Sequence, residues 1–238
     1  MKKILLFFVF LSSLFLQAQE KLIINDPLAV MRDMGSFDEI DVSGPFKVYY
    51  SVGKKHTVAI SAGTESARDR IRVSKSGSRL IIELEETYKD WFKSQPRFKV
   101  YISSPTVKHI SASGAVDFFV TDLLSSDDLK IRFTGASDFL GKLDCENLNL
   151  RFTGASDIEL TGKVTALNAV LTGASKLKAA TLKVENADIK VSGASNSTIS
   201  VSNKMNALAT GASHITYYGN PPHVDVRSSG ASKIKRAD

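Results

Sequence analysis

Three carboxylates recur at nearly even spacing in the second half of the chain: Asp117, Asp138 and Asp157. If those segments stack as neighbouring strands, the side chains stand about 4.8 Å apart. Oxygen ligands gathered in this way are the chemistry of calcium. The same column continues as Lys176, Asn196, His214 and Lys233. The competing reading is therefore a solvent-facing row of weakly interacting charges. A second cluster, Tyr88, Trp91 and Phe92, lies among charged residues and holds the only tryptophan. Such aromatics stack on sugar rings, anchor a protein partner, or fold back over an open part of the core.

Catalytic chemistry is poorly provided for. The four histidines, His56, His109, His214 and His223, have no metal-ligand spacing, and neither a nucleophile elbow nor a phosphate loop is present. Six serines recur at Ser137, Ser156, Ser175, Ser195, Ser213 and Ser232, but no histidine repeats beside them. They read as a structural ladder bonded hydroxyl to hydroxyl rather than as nucleophiles. The single cysteine, Cys145, excludes an intramolecular disulfide and reads as a small filler. These residues imply no enzyme and no cofactor.

The elements that must position these groups follow from a repeat. A hydroxyl residue, glycine, alanine and usually serine return at Gly114, Gly135, Gly154, Gly173, Gly193, Gly211 and Gly230, separated by 21, 19, 19, 20, 18 and 19 residues. A period near twenty marks a solenoid. Two or three short strands fit each period, so each repeat is one coil of a β-helix, about seven in all. The crossover bias of parallel strands favours a right-handed coil. Phe133, Phe152, Leu171, Val191 and Ala209 form one apolar column, and Phe118, Phe139, Ile158, Leu177, Ile215 and Ile234 form another. Ser197 interrupts the second, and the extra residue in that repeat is expected to shift Ile199 into the core. Arg132, Arg151, Lys190 and Arg227 alternate with these columns and read as outward. The glycines supply a bend, the preceding Ser or Thr caps backbone groups there, and the alanines fit where coils press together.

Residues 1–19 read as a signal peptide, with Lys2 and Lys3 before an apolar run from Ile4 to Leu16 and a processing site after Ala18 or, alternatively, Gln19. That run is too short for a membrane span, so the mature chain is expected to have none. Residues 20–36 form an N-terminal extension. One β domain occupies 37–238, with an irregular strand-rich half (37–110) continuous with the repeating half (111–238). The formal charge of +6 falls to +4 without Lys2 and Lys3. It is scattered among acids, which argues against nucleic acid as a partner.

The segment Phe37-Asp38-Glu39-Ile40 with Val42-Ser43-Gly44-Pro45-Phe46-Lys47-Val48, the recurring Gly-Ala-Ser corners, and Tyr217-Tyr218-Gly219-Asn220-Pro221 before Ser229-Gly230-Ala231-Ser232 resemble the head GIN domain family of autotransporter adhesins. The resemblance runs from Phe37 to Lys235. It implies a β-helical domain exported to the periplasm, the cell surface or beyond, with an adhesive role and no family-wide catalytic residues. The expected function is a secreted interaction module whose partner is an unknown protein or glycan of the cell envelope, with self-association possible. A carbohydrate-binding or polysaccharide-processing protein, and a structural spacer, are the alternatives.

Overall fold

The computed structural model describes residues 26–85 and 97–237. Residues 1–19, expected to be a signal peptide, and the cluster Tyr88, Trp91 and Phe92 lie outside the described residues. What is described is all β apart from one helical turn. The strands are β1 (Val30–Arg32), β2 (Glu39–Gly44), β3 (Phe46–Val52), β4 (Thr57–Ser61), β5 (Ile71–Ser76), β6 (Arg79–Leu84), β7 (Phe98–Ser104) and β8 (His109–Gly114) in the first half. The second half holds β9 (Asp117–Gly135), β10 (Asp138–Gly154), β11 (Asp157–Gly173), β12 (Lys176–Gly193), β13 (Asn196–Ala209), β14 (His214–Tyr218), β15 (His223–Ser228) and β16 (Lys233–Arg236). The helix α1 (Glu65–Arg68) is capped by Thr64, whose Oγ1 accepts from the Ala67 N–H.

All sixteen strands share one sheet. From β8 onward the pairing is parallel, each coil laid on the last, giving a solenoid of about seven turns. A coil bends in three places: at the glycine corner, near residue 141, and near residue 146. Pairing skips Glu146 against Thr165 at the third bend, and the register shifts between Leu140 and Lys142 at the second. Both apolar columns turn inward and are buried, except Ile234 on the last coil, which is half-buried. Phe118, Phe133, Phe139 and Phe152 form a continuous ring cluster with centroids 5.1–6.1 Å apart. Each such side chain contributes about 1.5–3 kcal/mol through burial.

The N-terminal half is threaded out of order. Strand β2 lies between β6 and β8, and β3 lies between β7 and β9. The chain thus builds an inner coil first (β2–β3), then the coil outside it (β6–β7), and then returns to β8. Gly44 stacks on Gly114 and is an additional member of the glycine ladder. Strand β6 ends at the corner position of the β6–β7 coil, with Ser43 opposite Glu83. Beyond it lie β4, antiparallel to β7, and β5, antiparallel to β6.

Several local expectations need correction. Ser197 keeps its register opposite Leu177 and stays buried in the core. The extra residue of that repeat lies instead between Lys178 and Leu182, where four β12 positions span three of β11. Ile199 is buried at the next inward position, opposite Ala179. The corner alanines are exposed rather than wedged between coils. Their contribution is the backbone: Ala155 N–H donates to Gly135 O at 2.9 Å, and Ala174 N–H to Gly154 O at 2.8 Å.

Candidate functional site

The corner serines bond to backbone, not to one another. Ser195 Oγ donates to Gly173 O and accepts from Ser175 N–H, both at 3.1 Å. Ser137 Oγ likewise accepts from Val116 N–H at 3.2 Å. Hydroxyl-to-hydroxyl bonds occur in the column just before the glycines, from Ser113 to Ser43 at 3.0 Å and from Ser192 to Thr172 at 3.3 Å. Ser137, Ser175, Ser195 and Ser213 are buried and committed to holding the bend, whereas the buried Ser156 Oγ has no hydrogen-bond partner.

Asp117, Asp138 and Asp157 do stand in consecutive register at the start of β9, β10 and β11. Basic residues flank them: Lys47 Nζ lies 3.8 Å from Asp117 and Lys178 Nζ 3.2 Å from Asp157. Asp138 Oδ1 accepts the Asp157 N–H at 3.1 Å. Among the described residues, no group of three or more His, Cys, Asp or Glu side chains is arranged to hold a metal ion.

The next outward row carries an aromatic ladder that inspection of the sequence missed. Tyr101 on β7, Tyr49 on β3 and Phe119 on β9 stack at 5.4 and 5.5 Å with ring planes 13° and 22° apart. Lys47 lies over Phe119, 5.5 Å from its centroid. The ring faces are turned to one another. At the far end, Tyr101 donates to Asp26 Oδ2 at 3.0 Å.

A concavity lies elsewhere, at the third bend. A trench of about 740 Å³ crosses the strands from β9 to β13. Its floor is Cys145, Val164 and Val184, aligned coil upon coil and facing inward. One wall carries Ser125, Asp144, Lys163, Lys183 and Ser200, which follow one another in register. The other carries Asp127, Glu146, Thr165, Glu185 and Ser202. Lys163 pairs with Asp144 at 3.2 Å. Among the described residues, Lys183, Glu146 and Glu185 are in no ion pair, so their charges remain available to a ligand. Burial pushes the Cys145 thiol up to about 11, with the Asp144 charge adding to the effect. The thiol is therefore protonated and inert at neutral pH. A shallower hollow of about 310 Å³ continues along the adjoining face, lined by Asn147, Asn149, Asn168, Asn186 and Asn206 among others.

A profile described as "putative auto-transporter adhesin, head GIN domain" matches residues 36–221. The chain belongs to this head GIN domain family. Three solved structures share the fold. A protein described as a putative adhesin from Bacteroides fragilis is 22% identical, with a TM-score of 0.78, covering 89% of this chain and 98% of that one. Another so described, from Parabacteroides merdae, is 18% identical, with a TM-score of 0.67 and coverages of 88% and 95%. A third, from Parabacteroides distasonis and described as a putative lipid binding protein, is 16% identical, with a TM-score of 0.66 and coverages of 88% and 96%. No protein of curated function matches the sequence. Among the described residues, no helix is long and apolar enough to cross a membrane. Membership in an adhesin family accords with a head domain of the cell envelope.

Proposed function

We propose that this head GIN domain is an exported, non-enzymatic binding module that takes an extended glycan in the trench between Ser125 and Ser202. The observation that carries the reading is the trench itself, which runs across five successive strands instead of enclosing a compact cavity. An extended polyhydroxylated chain matches that shape. Its hydroxyls meet donors and acceptors on both walls, above a floor closed by the inward-facing Val164 and Val184. A small number of placed polar groups is what orients a ligand in such sites. Export is supported by residues 1–19, whose charged start and apolar run read as a signal peptide, and by the family.

A glycan array probed with the chain from Gln19 onward tests the proposal. Binding is expected and should fall at least about tenfold in Lys183→Glu or Glu185→Ala, the loss of one charged hydrogen bond or more. An array with no bound glycan, or binding indifferent to both substitutions, refutes it.

A further inference from the structure

The two ends of the solenoid differ. At the N-terminal end, antiparallel β4 and β5 with α1 lie beyond the last parallel coil, and Phe37, Ala67 and Ile71 are buried there. The strand outermost on one face, β1, is only three residues long. At the C-terminal end the final coil, β15 with β16, pairs on one side only: β15 with β13 and β16 with β14. The consequence is visible in the core positions. Met205 and Ala207 are 0% and 6% exposed, whereas Val224 and Val226, which stack directly on them, are 43% and 42% exposed. Among the described residues, each earlier coil has its apolar row covered by the next, and none covers this one.

The two free edges are unequal. Strand β16 carries Lys233, Lys235 and Arg236 without an acid, and Arg236 at an inward position folds back to Asn220 Oδ1 at 2.9 Å. Cations placed so are a common guard against edge pairing. Strand β15 has no such guard. Its outward side chains Asp225 and Arg227 have opposite charge and pair with each other at 3.1 Å.

Backbone direction decides which groups of β15 are free. Ser229 N–H donates to Ala209 O on β13. Alternate residues point their N–H and C=O groups to opposite sides. Residues 223, 225 and 227 therefore face β13, and Val224, Val226 and Ser228 present their N–H and C=O groups to the open edge. A second copy of this strand meets them in antiparallel register about a two-fold axis. Centring on Asp225 sets Asp225 against itself, and centring on Arg227 sets Arg227 against itself. Centring on Val226 places Val226 on Val226, Val224 opposite Ser228, and Asp225 of each copy opposite Arg227 of the other. Of the three, only this register opposes unlike charges while pairing the open N–H and C=O groups.

We infer that β15 is a self-recognition edge: two copies of this chain join tail to tail through antiparallel β15 strands centred on Val226. The apolar row of each solenoid then continues into the other. A two-fold contact uses the same edge on both copies and therefore closes at the dimer, whereas head-to-tail stacking would give filaments. This arrangement is independent of the trench, which lies at the bend on strands β9 to β13, and it doubles the number of trenches per particle. Two linked sites raise avidity for a repeating surface.

Analytical ultracentrifugation of the chain from Gln19 onward tests the inference over roughly 1 to 500 µM, the range suited to a small interface. A monomer–dimer equilibrium is expected. Asp225→Arg alone and Arg227→Asp alone each place like charges opposite one another, and each should weaken the dimer at least about tenfold. The double swap, Asp225→Arg with Arg227→Asp, should restore it to within about threefold. Both positions are exposed, and an unchanged circular-dichroism melt confirms folding of each variant. A monomer at every concentration overturns the inference, as does a dimer unmoved by the single reversals or not rescued by the swap. An association that continues past the dimer overturns it as well.

Discussion

Asp26 Oδ2 accepts the phenolic hydrogen of Tyr101 at 3.0 Å and lies 3.0 Å from the Lys99 ammonium. This contact fastens the segment before β1 to the outer face of β7, at the end of the aromatic ladder. The Asp26 side chain is 7% exposed. Burial alone pushes its carboxyl up, but hydrogen bonds from Lys99, Ser61, Tyr101 and the Leu28 N–H outweigh that and hold it below the ordinary carboxylate range. Burial and the same carboxylate push the Tyr101 phenol up. A depressed carboxyl stabilises the fold above its unfolded value, about 3.9, and loses that contribution as pH falls through the folded value. Asp26→Asn should therefore lower Tm at pH 7, at a cost of about 1.5–3 kcal/mol for hydrogen bonds to a charged group. The difference from wild type should shrink below about pH 4 as the native carboxyl protonates. Melts across that range check it, and a gap independent of pH would mean Asp26 acts through packing alone.

The glycine ladder makes a sharper demand. Gly154 has φ +122, and a Cβ there would overlap the Gly135 carbonyl oxygen, the acceptor for Ala155 N–H. Gly154→Ala is expected to cost about 3 kcal/mol or more, since strain and a broken coil-to-coil bond combine. Gly77 also has positive φ (+60), but its Cβ direction is empty. Gly77→Ala should cost only about 1 kcal/mol. Urea titrations of both variants separate the two causes. Equal losses would show that φ alone matters and that stacking adds nothing.

Much of this was legible in the sequence because a stacked coil repeats its demands. The inward columns through Phe133 and Phe118 had to recur at the coil period, and they did. What stayed hidden depends on neighbours distant in sequence. Gly44 belongs to the ladder, yet its stacking partner Gly114 is separated from it by a whole inserted coil. The Tyr101–Tyr49–Phe119 ladder crosses three strands whose spatial order inverts their chain order. The trench walls follow no single residue type, since Ser, Asp and Lys alternate along one of them. Only the floor, with Cys145, Val164 and Val184 at the coil period, left a trace.

That floor offers a direct probe. The Cys145 thiol is buried and pushed up to about 11. At pH 8 a thiol reagent should label the native chain far more slowly than the same chain in denaturant. A glycan seated in the trench should slow native labelling further. Native labelling as fast as in denaturant would mean that the bend opens freely and that the floor is not a packed surface.

The carboxylate column carries a different expectation from the one its spacing suggests. Lys47 and Lys178 already lie beside Asp117 and Asp157. Millimolar calcium is therefore expected to leave Tm unchanged, and Asp138→Asn should not alter that result. A rise in Tm with calcium that disappears in Asp138→Asn would establish the metal site after all.

Two buried serines at different places in the coil should respond oppositely to the same substitution. Ser195 Oγ bridges two coils, donating to Gly173 O and accepting from Ser175 N–H. Ser195→Ala leaves that N–H buried without its partner, at a cost of about 1–3 kcal/mol. Ser197 sits in the apolar column opposite Leu177 and Ile215, and its Oγ has no hydrogen-bond partner. Removing an unsatisfied buried hydroxyl relieves its desolvation, so Ser197→Ala should be neutral or stabilise by about 1 kcal/mol. Ser197→Val should add to this by extending the apolar column, provided the space beside Leu177 admits two methyl groups without strain. Thermal melts of the three variants decide it. A loss in Ser197→Ala comparable to that in Ser195→Ala would show that the Ser197 hydroxyl is hydrogen-bonded in solution.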